Sequence, residues 1–305
     1  MPIRIPRDLP AFRALGSENV FIITDDRALH QDIRPLEIGI VNLMPTTVDT
    51  EIQLLRLLGN SPLQIHITLL HMASHLSKNA PKGHLEKFYV SSQSILHKRF
   101  DGLIITGAPV ETLDFEQVDY WDELTRVIDY SAKNVFSVLH ICWGAQAGLY
   151  HRYRIPKIPL AKKLFGIFPH GISEKERHTI LFRGFDDEFL APQSRHTSCD
   201  PDAAASCKDI TIQSQSADTG VFLATARNYR EIYVTGHLEY DPLTLDREYR
   251  RDLAKGLSIA VPQNYYPGND PAKPPIVRWR AHAHLFFNNW LNFVYQETPY
   301  DLREL

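Results

Sequence analysis

Short apolar runs alternate with amphipathic helical runs along the first half of the chain. The apolar run at 36–43 is followed by a stripe at helical spacing, formed by Val48, Ile52, Leu55 and Leu58. Further strand-like runs lie at 63–70, 102–106 and 135–141, and an amphipathic helix lies at 121–133. Helical connections between successive strands are typical of parallel sheets. The alternation therefore predicts an α/β fold with a mainly parallel sheet flanked by helices.

The second half of the chain continues this pattern less regularly. Apolar runs at 221–224 and 232–235 predict two more strands, and the run at 244–257 predicts a helix. The stretch from 154 to about 209 is polar and carries Pro and His, so we predict long loops over an active face. The stretch 261–275 is crowded with Pro, Asn and Gly and predicts a surface connection.

The length of the chain and its apolar fraction favour one unit. With 305 residues, of which 44% are hydrophobic, the chain can bury a sizeable core, and we expect a single domain over 1–305. An N-terminal extension at about 1–34 and a C-terminal helix at about 278–297 are predicted to pack on or beside that core. The aromatic run of this helix fits packing on the sheet or on another subunit, so a homodimer stays open.

The charge and cysteine content exclude several classes of protein. A formal net charge of -3, with no basic run, argues against a nucleic-acid partner. The sequence has neither a secretory apolar core near its start nor about 18 consecutive apolar residues, so we expect a cytoplasmic protein with no membrane partner. Cys142, Cys199 and Cys207 show no metal-like spacing, which suits free thiols in a reducing compartment.

One of the three cysteines lies at a chemically distinctive position. The apolar run that ends at Ile141 stops at Cys142, and the small-residue run Trp-Gly-Ala-Gln-Ala-Gly begins at Trp143. This pattern predicts a nucleophile elbow, which projects the thiol from the carboxyl edge of the sheet. The following helix N-terminus favours the thiolate. Cys199 and Cys207 lie in a polar segment and are interpreted as incidental.

A cysteine nucleophile needs a base, and His237 is the best-placed candidate. It follows the short apolar run Ile232-Tyr-Val-Thr235, and the carboxyl ends of neighbouring strands meet at one edge of a sheet. Glu239 is close enough to orient the imidazole and to stabilise its charged form. A metal site is disfavoured because the sequence has no H-E-x-x-H motif, and His282 and His284 fall on different helix faces.

If the cysteine attacks an acyl group, the reaction passes through a tetrahedral oxyanion, which needs hydrogen-bond donors. The backbone amides of Trp143 and of the turn at Gly107 and Ala108 are the expected pair. Pro109 removes one donor from that turn and fixes its geometry, so Gly107 also fits a purely conformational role.

Several blocks of the sequence, in the same order, resemble the homoserine O-acyltransferases of methionine biosynthesis. The resemblance spans nearly the whole chain. Its blocks are Asn42-Leu-Met-Pro45, Ile105-Thr-Gly-Ala-Pro-Val-Glu111, His140-Ile-Cys-Trp-Gly-Ala-Gln-Ala147, Arg183-Gly-Phe-Asp-Asp187, Thr235-Gly-His237, Trp279-Arg, Asn289-Trp-Leu-Asn292 and Val294-Tyr-Gln-Glu-Thr-Pro-Tyr300.

The resemblance implies a flavodoxin-like fold related to class I glutamine amidotransferases. It implies ping-pong transfer of an acyl group from acyl-CoA through Cys142 to the hydroxyl of homoserine, the first committed step of methionine biosynthesis. His237 would be the general base and Glu239 its partner. Lys163, Ser194 and Arg251 fall where the family binds substrate, and Arg251 suits a carboxylate. The family implies no metal or prosthetic group.

Members of the family that the chain resembles divide by acyl donor, and the resemblance implies that the position of Glu111 is the divider. A carboxylate beside the acyl pocket would repel the terminal carboxylate of succinyl-CoA and leave room for acetyl, because like charges in a poorly solvated site cost several kcal/mol. We therefore predict acetyl-CoA as the donor. A solvated loop position is the alternative interpretation of Glu111.

The sequence departs from the family at three places. Thr46 and Thr47 stand where lysines are common, which puts a cationic contact near the acyl site in doubt. Leu238 replaces the usual proline between His237 and Glu239, which leaves the turn less rigid but the triad intact. The region 174–180 looks slightly longer than expected and would alter the loop over the acceptor pocket.

Four alternatives stay open from sequence alone. L-Serine is one methylene shorter than homoserine, and a pocket discriminates a methylene by only about 1 to 3 kcal/mol. The donor could be succinyl-CoA on the same scaffold. A glutamine amidohydrolase would use the same elbow, histidine and glutamate. A non-enzymatic binding module is the fourth alternative, and the presence of both Cys142 and His237 disfavours it.

Overall fold

The fold is described from a computed structural model, which covers residues 3–18, 22–23, 34–75, 81, 83–177 and 179–305. In chain order, its strands are β1 (Ile3–Arg4), β2 (Ile22–Ile23), β3 (Leu36–Val41), β4 (Ile65–His71), β5 (Tyr89–Ser91), β6 (Phe100–Ile105), β7 (Val135–Ile141), β8 (Lys157–Ile172), β9 (Glu188–Cys199), β10 (Ile210–Ser216), β11 (Gly220–Ala226) and β12 (Glu231–Val234). The helices are α1 (Pro10–Ser17), α2 (Thr47–Gly59), α3 (His84–Phe88), α4 (Trp121–Asn134), α5 (Trp143–Tyr153), α6 (Pro201–Ser206), α7 (Thr244–Ala254) and α8 (Arg280–Glu297).

These strands form one mixed sheet. Their order is β2-β1-β4-β3-β6-β7-β12-β11-β10-β8-β9, and β5 pairs with β4 outside this path. The first seven strands of this order, which end with β12, pair in parallel with their neighbours. The remaining pairs, from β12 and β11 through β10 and β8 to β9, are antiparallel. The predicted α/β fold with a mainly parallel sheet is therefore confirmed.

The central strands are buried because helices cover both faces of the sheet. All six residues of β6 are buried, as expected for an interior parallel strand. Trp290 of α8 packs so closely on β6 that a side chain at Gly102 would begin 2.9 Å from its ring. The indole of Trp290 also donates a hydrogen bond to the Ser137 hydroxyl, at 3.0 Å. Of the two interpretations of the C-terminal aromatic run, these contacts favour packing on the sheet.

The register between β7 and β12 positions the candidate nucleophile and base. Ile141 pairs with Val234 in parallel, and the amide of Cys142 donates to the Val234 carbonyl at 2.7 Å. Both strands therefore end at the same edge, and the chain leaves that edge at Cys142 and at Thr235.

The first turn of α5 lies unusually close to this edge. A side chain at Gly144 would begin 2.6 Å from the carbonyl oxygen of Thr106 and 2.8 Å from that of Ile105. One turn later, a side chain at Gly148 would meet Tyr233 at 2.7 Å. The small residues after Cys142 are thus needed for helix-to-sheet contact.

The prediction of long loops from 154 to about 209 is wrong. This stretch contains β8 and β9, which form a long antiparallel pair. Prolines such as Pro169 in β8 and Pro192 in β9 obscured them in the sequence. Pro192 is tolerated because β9 is an edge strand, where a missing N–H can face away from the sheet. Lys163 and Ser194 line a cavity, so the strands do not show a continuous apolar run.

The other predicted elements lie close to their expected positions. The helix predicted at 244–257 is α7, and the stretch 261–275 holds a short 3-10 turn at Pro267–Asn269 and one bridge between Gly166 and Gln263. The N-terminal extension predicted at about 1–34 lies partly outside the described residues, and its described part supplies β1, α1 and β2. No helix in the described ranges is long and apolar enough to cross a membrane.

We predict that Gly144→Ala lowers the free energy of unfolding by about 1 to 3 kcal/mol, because the added methyl group meets backbone oxygens that cannot rotate away. Urea unfolding measures the change. Gly16→Ala is the matched control, since Gly16 is also helical and nothing lies within 4 Å of its added methyl group. This control is expected to gain up to about 1 kcal/mol from helix propensity. Equal behaviour of the two variants would contradict the packing argument.

Candidate active site

Cys142 occupies a strained turn between β7 and α5. Its backbone has φ 52° and ψ -116°, a conformation that residues other than glycine seldom adopt. Such strain is typical of functional sites, where it fixes the direction of a side chain. Cys142 is 7% exposed and stands as the N-cap of α5. The predicted elbow is therefore present in the geometry.

His237 lies beside this thiol, at the end of the neighbouring strand β12. Its Nδ1 lies 2.7 Å from Glu239 Oε1. Its ring and the thiol meet at Gly107, where an added Cβ would lie 3.7 Å from His237 Cε1 and 3.8 Å from Cys142 Sγ. The ring of Tyr240 stacks on the imidazole, with centroids 4.0 Å apart and planes 14° from parallel. His237 and Glu239 are buried. The structure thus brings the three predicted catalytic residues together.

The surroundings of His237 favour its charged form. Burial alone would lower the pKa of the imidazole, but the negative charges of Cys142 and Glu239, with their hydrogen bonds, raise that pKa well above its ordinary value. The geometry therefore suits a thiolate and imidazolium pair, in which Glu239 supports the imidazolium.

Two backbone amides near the thiol are available as oxyanion donors. In the described part of the chain, neither Ala108 nor Trp143 has an acceptor for its amide hydrogen. Gly107 leaves the space between them open, since a side chain there would begin 3.2 Å from Cys142 Cβ and 3.7 Å from His237 Cε1. A side chain at Gly107 would therefore crowd the thiol and the imidazole. The oxyanion role of the two amides stays a prediction.

A cavity of about 560 Å³ opens in front of the thiol. The predicted catalytic residues, the predicted substrate-binding residues Lys163, Ser194 and Arg251, and the specificity candidate Glu111 all line this cavity. A neighbouring cavity of about 690 Å³, lined by Arg56 and Trp279 among others, shares Glu239 and Tyr240 but not the thiol. The smaller cavity is therefore the candidate active site.

The three predicted substrate-binding residues converge on a residue that the sequence analysis missed. Glu248 receives hydrogen bonds from Lys163 at 2.6 Å and from Ser194 at 2.9 Å, and Arg251 lies 3.7 Å away. Glu248 and Arg251 are three residues apart on α7, which places them on one helix face. That spacing was the available signal, but charged pairs on helices are usually solvated.

Glu111 follows β6 and points its carboxylate at β9. The amide of His196 donates to Glu111 Oε2 at 2.8 Å, and the hydroxyl of Thr197 lies 3.3 Å from the same oxygen. The carboxylate is thus held in place at the cavity wall, which does not fit a freely solvated loop position.

The departures noted in the sequence leave this geometry intact. Thr46 lines the cavity at the start of α2, and Thr47 is the first residue of that helix. Leu238 is buried, and the pair of His237 and Glu239 on either side of it is formed. The region 174–180 contains a 3-10 turn at Glu174–Glu176, and its His178 lies outside the described residues.

Other nucleophilic and metal-binding groups lie elsewhere. Cys199 is buried, which raises the pKa of its thiol, and Cys207 is partly exposed. His282, on helix α8, does not line the cavity, and its Nε2 lies 3.3 Å from Asp186 Oδ2. Within the described ranges, no group of three or more His, Cys, Asp or Glu side chains could hold a metal ion.

A protein family and several known proteins match this chain along nearly its whole length. The model of a family described as Homoserine O-succinyltransferase matches residues 2–300. A protein named homoserine O-acetyltransferase from Acetivibrio thermocellus is 56% identical, over 100% of both chains. One of the same name from Petrotoga mobilis is 58% identical, over 99% of this chain and 97% of that one. The resemblance predicted from the sequence motifs is confirmed.

Solved structures support the predicted fold. A glutamine amidotransferase from Thermotoga maritima matches with a TM-score of 0.57 and 12% identity, covering 86% of this chain and 99% of that one. A glutamine amido transferase from Methylobacillus flagellatus matches with a TM-score of 0.55 and 13% identity, covering 86% and 95%. At such identities the likeness shows the fold alone, and it confirms the predicted class I glutamine amidotransferase-like architecture.

We predict that Glu239→Gln lowers the pKa of His237, because the variant removes one of the negative charges that raise it. NMR titration of histidine-labelled protein, with His237→Asn to assign the signal, measures this shift toward lower pH. Turnover should fall about 10²- to 10⁴-fold, as for loss of an acid-base partner. Glu297→Gln, on an exposed helix end, is the control. An unchanged His237 titration would contradict the assigned role of Glu239.

Proposed function

The chain belongs to the homoserine O-succinyltransferase family, and we propose that within this family it acts as a homoserine O-acetyltransferase. It is an acyltransferase, like its curated relatives. The observation that carries the proposal is one cavity that holds Cys142, His237, the cluster around Glu248, and Glu111. The transfer requires a nucleophile and a charged acceptor site, and the negative charge of Glu111 near the acyl group disfavours a succinyl donor.

In the first half-reaction, the Cys142 thiolate attacks the thioester carbonyl of acetyl-CoA. The new bond joins Sγ to the acetyl carbon, and the negative charge moves to the carbonyl oxygen, within reach of the Trp143 and Ala108 amides. When the intermediate collapses, the bond to the CoA sulfur breaks. His237 gives its proton to the leaving thiolate, which leaves an acetylated Cys142 and a neutral imidazole.

In the second half-reaction, His237 takes the proton from the acceptor hydroxyl as the oxygen attacks the acetyl carbon. The bond to Sγ then breaks and restores the thiolate beside the imidazolium. One proton is therefore given and recovered at His237, and the enzyme returns to its starting state. The pairing of His237 with Glu239 supports both transfers because it stabilises the charged imidazole.

The acceptor site has charges of the sign that an amino acid needs. The guanidinium of Arg251 suits the α-carboxylate, and the carboxylate of Glu248 suits the α-ammonium. Lys163 and Ser194 hold Glu248 at 2.6 Å and 2.9 Å, which fixes its direction. These positions support an amino acid acceptor, and homoserine follows from the family and from the names of the relatives.

The donor is a separate question, because the family description and the names of the relatives give different acyl groups. Glu111 lines the cavity that holds Cys142, and a hydrogen bond from the His196 amide fixes its carboxylate there. A succinyl group would bring a second carboxylate into this partly desolvated site, where like charges repel. We therefore propose acetyl-CoA rather than succinyl-CoA.

Several expectations from the sequence stand as parts of this proposal. We expect acetyl-CoA as co-substrate and no other cofactor, with neither nucleic acid nor membrane as a partner. A single domain over the whole chain, a cytoplasmic location and a homodimer also stay predictions.

We predict that incubation with acetyl-CoA alone gives the protein the mass gain of one acetyl group, because the first half-reaction needs no acceptor. Mass spectrometry of the intact protein measures it. Cys142→Ala should show no gain, whereas Cys207→Ala, which removes a thiol outside the cavity, should keep it. Labelling by glutamine but not by acetyl-CoA would favour an amidohydrolase and overturn the acyltransferase assignment.

We predict that Glu248→Gln raises the KM for homoserine about 10- to 100-fold, because a charged hydrogen bond to the ammonium is lost. Steady-state kinetics measure the change, and acetylation of Cys142 should persist in this variant. Glu297→Gln again serves as control.

In the unsubstituted enzyme, L-serine at equal concentration should compete poorly with homoserine, and a strong preference for serine would overturn the proposed acceptor.

A further inference from the structure

The donor-selecting carboxylate of Glu111 is held by more than its own loop. The backbone carbonyl of Glu111 accepts a hydrogen bond from Lys157 Nζ at 2.8 Å, and the same ammonium also donates to the backbone carbonyl of Leu113. This ammonium lies 4.5 Å from the ring centroid of Phe115. Lys157 therefore fixes the backbone of the loop, but it does not fix the direction of the Glu111 side chain.

The side chain is directed by β9. The His196 amide donates to Glu111 Oε2 at 2.8 Å, and Thr197 Oγ1 lies 3.3 Å from that oxygen. Thr197 Oγ1 also lies 2.8 Å from Gln146 Oε1. The hydroxyl therefore has two acceptors within hydrogen-bond distance, and Gln146 Oε1 is the nearer of the two.

Thr197 is itself held by Gln146, which lies on helix α5 directly after the nucleophile. Gln146 Nε2 donates to the Thr197 carbonyl at 3.2 Å, and the amide of Gln146 donates to the Cys142 carbonyl at 3.1 Å. Gln146 is 1% exposed and Thr197 is 5% exposed, so water does not compete for these bonds. A short path of hydrogen bonds thus links the elbow to the carboxylate of Glu111.

The buried guanidinium of Arg195 stabilises the same strand, β9. Arg195 is fully buried and donates to the carbonyls of Thr197 and Thr219, at 2.8 Å and 2.6 Å, and to Gln193 Oε1 at 3.1 Å. Among the described residues, no carboxylate forms an ion pair with this guanidinium. It therefore binds backbone oxygens and keeps the strand around Thr197 in place.

We propose that Thr197 is a positioning residue for acyl-donor selection, and that its hydroxyl keeps the Glu111 carboxylate turned toward the acyl pocket. This inference rests on the proposed selection of acetyl-CoA by Glu111. Without the hydroxyl, the carboxylate keeps the bond from the His196 amide but loses its second anchor. It can then turn about the remaining bond, and a succinyl carboxylate meets a less firmly held like charge. Thr197 acts through Glu111 and does not touch the reacting atoms.

The test compares kcat/KM for acetyl-CoA with kcat/KM for succinyl-CoA. Thr197→Val keeps the branched shape and removes the hydroxyl, and it should lower the acetyl-to-succinyl ratio about 3- to 10-fold, the equivalent of one hydrogen bond. The kcat/KM for acetyl-CoA should change by less than about 3-fold. Thr197→Ser restores the hydroxyl and should restore the ratio.

Two further variants control for structural effects. Thr225 is a buried strand threonine that accepts a hydrogen bond from Gln213 at 3.1 Å, away from the cavity, so Thr225→Val should leave the ratio unchanged. If Thr197→Val does not fold, Thr197→Ala removes the same hydroxyl with a smaller side chain, and it carries the same expected ratio.

Glu111→Gln separates this inference from the proposed function. Glu111→Gln should lower the ratio by itself, and Thr197→Val added to Glu111→Gln should lower it no further. A ratio unaffected by Glu111→Gln would overturn donor selection by Glu111. A ratio lowered by Glu111→Gln but not by Thr197→Val, or lowered additively in the double variant, would overturn the role of Thr197.

Discussion

The parallel pairing of β7 with β12 places a thiol and an imidazole side by side at one edge of the sheet. The bond from the Cys142 amide to the Val234 carbonyl, at 2.7 Å, sets the register at the point where both strands end. The strained backbone of Cys142 then turns the chain into α5 and directs the thiol at the cavity. The rest of the site, including the oxyanion donors and the acceptor cluster, is built around this junction.

Electrostatics explains why so many charged groups are tolerated there. His237, Glu239 and Arg195 are buried, and a buried charge is costly unless it is paired or hydrogen-bonded. The charges of Cys142 and Glu239 compensate the imidazolium of His237, and backbone oxygens compensate the guanidinium of Arg195. Because these groups are buried, small displacements of them have large effects on reactivity and selection.

The local parts of this arrangement could be predicted from the sequence. The elbow at Cys142 follows from an apolar run that meets small residues, and His237 follows a short strand in the same way. The β8 and β9 pair could not be predicted, because prolines and cavity-facing polar residues interrupt its pattern. Glu248 was missed for a related reason, since only the tertiary convergence of Lys163 and Ser194 distinguishes it from a solvated helix carboxylate.

We propose that acyl transfer proceeds through a covalent intermediate at the sheet edge formed by β7 and β12. Exchange of isotopically labelled CoA into acetyl-CoA tests it most directly, because such exchange requires that the acetyl group leave CoA and return. We expect exchange in the complete absence of homoserine, and its loss in Cys142→Ala. Exchange that begins only when homoserine is added would show direct transfer in a ternary complex, and would contradict the mechanism built on Cys142.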